Sequence, residues 1–96
     1  MALRESYDFE NLVNDAEKLV LAELESQLKE DPSACTCQDC VLDMAAYALN
    51  NIKPCYRVSL MGSLYTGAVS QTEYGLQVRK AVQDAVRKIQ SNRSHD

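Results

Sequence analysis

Four cysteines are the residues of this 96-residue chain best suited to chemistry, and three of them are packed together. Cys35, Cys37 and Cys40 form a C-x-C-x-x-C run, and Cys55 follows fifteen positions after Cys40. Thiolates at these spacings can bend round one ion, with Cys55 returning as a fourth tetrahedral ligand, so zinc on Cys35, Cys37, Cys40 and Cys55 is one reading. A structural zinc would stabilise a small domain, because metal binding is then part of the folding free energy. A redox reading takes the Cys37–Cys40 pair at a helix N-terminus, where the dipole acidifies a thiol. A thioredoxin-like site, however, belongs to a βαβ pattern that this chain lacks. A third reading leaves the thiols reduced and partly buried where a helix begins. Disulfide bridging is the least expected, since disulfides are rare in the cytosol.

The second chemical feature is the stretch Lys53-Pro54-Cys55-Tyr56-Arg57, with Ser59, Ser63, Tyr65 and Thr66 close behind. Arginine and lysine contact phosphates, and arginine can also read a guanine edge with a two-pronged hydrogen bond. Tyrosine rings are stacking platforms for bases. Lys53, Tyr56, Arg57 and Tyr65, with Arg79 and Lys80 adding positive charge from downstream, are therefore candidate contacts for a small, doubly charged ligand. The competing reading makes Tyr56 and Tyr65 cross-strand core partners and leaves Arg57 solvated. Enzymatic chemistry finds no support. The one histidine, His95, lies in the tail, and neither a G-x-G-x-x-G run nor a P-loop is present.

Charge narrows the partners. Residues 1–50 carry 3 basic and 11 acidic side chains, a net of −8, whereas residues 51–96 carry 7 basic and 3 acidic, a net of +4. An overall −4 argues against direct DNA binding, which draws most of its affinity from phosphate neutralisation. The basic second half still suits a small anion. No apolar run approaches the roughly 18 residues of a membrane span, and the opening MALRESYDFE lacks a signal peptide's apolar core. A cytoplasmic protein is expected.

Three helices must position these residues. Phe9, Leu12, Val13, Ala16, Leu19, Val20, Leu24 and Leu28 recur in steps of three and four, which predicts a helix from about Tyr7 to Lys29, stopped by Asp31-Pro32-Ser33. Val41, Leu42, Met44, Ala45, Ala48, Leu49 and Ile52 predict a second, apolar and central, from about Gln38 to Asn51. Tyr74, Val78, Ala81, Val82, Ala85, Val86 and Ile89 predict a third, capped by Ser70 or Thr72 and running to about Ser91. The β-branched and aromatic segment from Tyr56 to Thr66, centred on Met61-Gly62-Ser63, predicts two short strands in a hairpin. Ninety-six residues make one domain, with an ordered core over about 7–91 and a frayed tail at 92–96. The fold class is mainly α: a small bundle of three to four helices with a short β-hairpin-like segment. The first stripe is longer than one short helix can cover, which predicts a homodimer.

The residues also carry a family pattern. Asn14-Asp15-Ala16-Glu17-Lys18-Leu19-Val20 is followed by Cys35-x-Cys37-x-x-Cys40, then by Leu42-Asp43-Met44-Ala45-Ala46-Tyr47-Ala48-Leu49-Asn50, Pro54-x-Tyr56 and the last amphipathic helix. In this order the elements, over about residues 11–90, resemble the ComFB family, named for a late-competence operon. The resemblance implies a small, mainly helical, dimeric bacterial protein without enzymatic activity. It further implies an association with zinc, falling on Cys35, Cys37 and Cys40, and with sensing of cyclic dinucleotides. The function expected is thus a non-enzymatic signalling receptor for c-di-GMP or c-di-AMP that acts on a protein partner. The alternative is a zinc-stabilised dimeric structural or adaptor protein linked to competence.

Overall fold

The computed structural model describes residues 2–58 and 73–92. Among them the chain forms α1 (Leu3–Ser6), β1 (Val13–Asn14), α2 (Asp15–Lys29), α3 (Gln38–Leu49), β2 (Tyr56–Arg57) and α4 (Gly75–Ser91). The strands pair antiparallel, Val13 opposite Arg57 and Asn14 opposite Tyr56. The mainly helical fold read from the sequence is therefore present, with four helices and a two-stranded sheet among the described residues. None of the described helices is long and apolar enough to cross a membrane.

The core is assembled from the three stripes. Ala16, Val20 and Leu24 of α2 meet Cys40, Met44, Ala45 and Ala48 of α3 and Val78, Ala81, Val82 and Ala85 of α4, with Tyr74 closing one end. Each long helix packs against the other two. Val20, Met44 and Val82 are completely excluded from solvent, and burying a side chain of that size is worth about 1.5–3 kcal/mol. Alanines on facing turns let the helices approach closely round these larger side chains.

Three boundaries differ from the sequence-based expectation. α2 begins at Asp15, not near Tyr7, because the Asn14 side chain caps it by accepting from the Ala16 N–H at 3.1 Å. Asn14 is extended, with φ −103° and ψ 105°, and its neighbours are committed to the ladder with β2. The preceding residues turn instead: Asp8 Oδ1 accepts from the Glu10 N–H at 2.8 Å, and the Phe9 carbonyl accepts from the Leu12 N–H at 3.0 Å. Leu12 is consequently exposed. α3 stops at Leu49, where the Asn51 side chain donates to the Tyr47 carbonyl at 2.8 Å and satisfies one of the helix-end acceptors. The strand at Tyr56–Arg57 pairs with a segment more than forty positions earlier, so it is not half of the expected local hairpin. The remainder of that hairpin, the Ser70 or Thr72 cap and the tail beyond Asn92 lie outside the described residues.

Candidate functional site

The chain leaves α2 through a polar turn that delivers the cysteines. Ser33 donates from both its N–H and its hydroxyl to Asp31 Oδ1, at 3.2 and 2.6 Å, while the Asp31 carbonyl accepts from the Ala34 N–H at 3.1 Å. Ala34 is buried, and Gln90 of α4 donates to the Cys35 carbonyl at 3.4 Å, which ties the loop to the bundle. Cys37 then takes the N-cap position of α3 in an extended conformation, φ −69° and ψ 161°. Its Sγ accepts from the Cys40 N–H at 3.4 Å.

This arrangement brings three of the four candidate ligands together. The Sγ atoms of Cys35, Cys37 and Cys40 all lie within 4.8 Å of one another. Cys37 is exposed, Cys35 half-buried and Cys40 buried. Burial, then hydrogen bonding and proximity to Cys35 and Cys37, push the Cys40 thiol up to about 12. A tetrahedral zinc with Zn–S bonds of about 2.3 Å holds its sulfurs about 3.8 Å apart, so small rotations of these side chains form three corners of a thiolate site. The donor set fits zinc and would leave a fourth corner for water or another donor. Cys55 does not belong to the group. Its carbonyl accepts from the Asp15 N–H at 2.8 Å, and its N–H donates to Asn14 Oδ1 at 2.7 Å. The expectation of four thiols round one ion is thus replaced by a set of three.

The candidate nucleotide contacts are distributed differently from the sequence-based grouping. Arg57 Nε donates to both carboxylate oxygens of Asp15, at 3.0 and 2.8 Å, in a pair largely shielded from solvent. The side chain expected to meet a ligand therefore anchors β2 to the first turn of α2. Lys53 is exposed, while its carbonyl accepts a hydrogen bond from the Tyr74 hydroxyl. Burial and the nearby Cys55 thiol push the Tyr74 phenol above its ordinary value. Arg79 lies along a polar cleft between α2 and α4, and Lys80 lines a separate one with Tyr47, Asn51 and Asp84. Tyr65 lies outside the described residues.

Tyr56 is exposed and stands beside other suitable groups. It lines a cleft of about 520 Å³ together with Arg4, Phe9, Leu12, Val13, Asn14, Glu17 and Lys18. The Arg4 guanidinium sits 5.9 Å from the Phe9 ring centroid, within cation–π range. Two aromatic rings and two cations thus border one cleft. Arg4, Phe9 and Lys18 were hidden in the sequence because their approach to Tyr56 depends on the β1–β2 register. The local signal that could have exposed them is the cap pattern at Asn14, followed by acidic residues in the first turn at Asp15 and Glu17.

Among the described residues, four helices clasped by a short antiparallel ladder define a small, mainly helical domain whose three convergent thiols, at the start of the central helix, could hold a metal ion. The family model described as late competence development protein ComFB matches residues 13–93, and the chain belongs to the ComFB family. A solved structure, described as the late competence protein ComFB from Bacillus subtilis, superimposes with a TM-score of 0.71 at 25% identity. The superposition covers 86% of this chain and 92% of that one. No curated protein sequence matches the chain.

Proposed function

We propose that the protein is a non-enzymatic cytoplasmic receptor for a cyclic dinucleotide, c-di-GMP or c-di-AMP, acting as a homodimer on a downstream protein partner. The observation that carries this reading is the cleft where Tyr56 and Phe9 offer stacking faces beside the Arg4 and Lys18 cations. Its volume of about 520 Å³ lies within the usual range of small-molecule sites. Arg57 acts from behind: by gripping Asp15 it fixes the strand that presents Tyr56. The exposed Leu19, Leu21, Leu42, Val58 and Leu76 supply apolar surface for a second copy. Ligand contacts that differ between two dimer arrangements would shift their populations and so the affinity for the partner. Zinc on Cys35, Cys37 and Cys40 would secure the start of α3, the helix at the centre of the bundle.

Calorimetry with each nucleotide tests the proposal. Binding at micromolar concentration is expected, and Tyr56→Ala weakens it about 5- to 150-fold, the equivalent of one base stack, with the helical circular-dichroism signal unchanged. Absence of heat with both nucleotides overturns the reading. A second reading, a zinc-stabilised dimeric structural or adaptor module linked to competence, is favoured by the three convergent thiols. One zinc per chain in a protein that ignores both nucleotides would select it.

A further inference from the structure

We infer that Cys37 and Cys40 form a peroxide-sensitive pair that closes to a disulfide, a covalent modification site at the start of α3. Three observations meet there. Cys37 is exposed, so a small oxidant reaches its sulfur, whereas Cys40 is completely buried beneath it. The Cys40 N–H donates to Cys37 Sγ at 3.4 Å, which holds that sulfur over the first helical turn, where the Cys40 side chain begins. The two sulfurs already lie within 4.8 Å, and a residue at the N-cap and another three positions on are near enough for side-chain rotation to complete an S–S bond of about 2.05 Å. Cys35 precedes this turn, and pairing it with Cys37 would close a much smaller ring across a single intervening residue, with greater strain.

The oxidant is hydrogen peroxide. Cys37 Sγ attacks one peroxide oxygen, the O–O bond breaks, and water leaves with the thiol proton, giving a sulfenic acid at Cys37. Cys40 Sγ then attacks Cys37 Sγ, the S–O bond breaks, and the hydroxyl leaves as a second water with the Cys40 proton. Two thiols lose two electrons in all, and one peroxide becomes two waters. A disulfide removes two of the three thiolate donors, so a zinc held by Cys35, Cys37 and Cys40 is released. That consequence rests on the zinc reading given above; the disulfide itself does not.

The full chain, in its metal-loaded and chelator-treated forms, is exposed to one equivalent of peroxide, alkylated, and cleaved on the N-terminal side of aspartate. Cleavage before Asp39 separates Cys40 from Cys35 and Cys37. The expected result is loss of two of the four thiols and a covalent link between the peptides on either side of that cut, reversed by dithiothreitol. Cys35→Ser retains the link and Cys37→Ser abolishes it, the serine serving equally as N-cap. An intact set of thiols, a Cys35–Cys37 bridge, or a sulfinic acid at Cys37 without a link overturns the inference. With a chromogenic chelator present, about one equivalent of zinc appears as the link forms. A link that forms in the metal-loaded chain without release of zinc refutes the metal reading and leaves the disulfide standing.

Discussion

Asn14 joins more of the molecule than any other polar side chain near the Tyr56 cleft, and its removal has a calculable cost. Its Oδ1 accepts from the Ala16 N–H at 3.1 Å, capping α2, and from the Cys55 N–H at 2.7 Å, fastening the chain that leads into β2. Replacing a cap of this kind with alanine costs about 1 kcal/mol. Leaving the part-buried Cys55 N–H unpaired adds about 1–2 kcal/mol. Asn14→Ala is therefore expected to lose about 2–3 kcal/mol, a sizeable share of the roughly 5–15 kcal/mol that holds a domain folded. In a chain of this size that corresponds to a fall in Tm of about 10–20 °C. Urea unfolding followed by circular dichroism measures it, with a lower midpoint and an unchanged slope. Asn14→Ser is the diagnostic control, since serine keeps the cap and is too short to reach Cys55. It should recover about 1 kcal/mol. A loss below about 0.5 kcal/mol for Asn14→Ala, or equal losses for both variants, would show that the two hydrogen bonds do not act as described.

Other outcomes follow from the same contacts. Asp15→Asn or Arg57→Ala should each cost about 1–2 kcal/mol by urea unfolding, between the values for exposed and fully buried pairs because the two side chains keep 15% and 21% of their exposure. Met44→Ala, at a position with no exposure, should cost about 2–5 kcal/mol in the same assay. Cys55→Ser should leave the zinc content of the purified protein unchanged, whereas Cys40→Ser should lower it, because Cys55 stands outside the thiol group. Burial raises the Tyr74 phenol above its unfolded value of 10.0, so the stability it contributes is present below that pH and lost as pH rises through the higher folded value. Unfolding midpoints measured on the alkaline side should fall accordingly, and Tyr74→Phe should flatten that fall.

What the sequence determined by itself is local. Steps of three and four place Val20, Met44 and Val82 on helix faces, so the three long helices and their core were legible before any coordinates. The C-x-C-x-x-C run is partly local: with Cys37 capping α3, its sulfur sits over the Cys40 N–H within one helical turn, whereas the Cys35 loop is tied to the bundle by Gln90 of α4. What only the tertiary structure decided involves partners far apart in the chain. Phe9, Leu12 and Val13 continue the apolar stripe of α2, yet pairing of Val13–Asn14 with Tyr56–Arg57 draws the chain out of the helix before Asp15. The same pairing brings the Arg57 guanidinium within reach of the Asp15 carboxylate, so that an expected ligand contact also anchors the strand. It also carries Cys55 to Asn14 and away from the other thiols. Helical periodicity is written in neighbouring residues, because each turn contacts the next. A ladder between residues more than forty positions apart is selected by how the packed helices bring those segments together, and no short stretch of sequence contains that information.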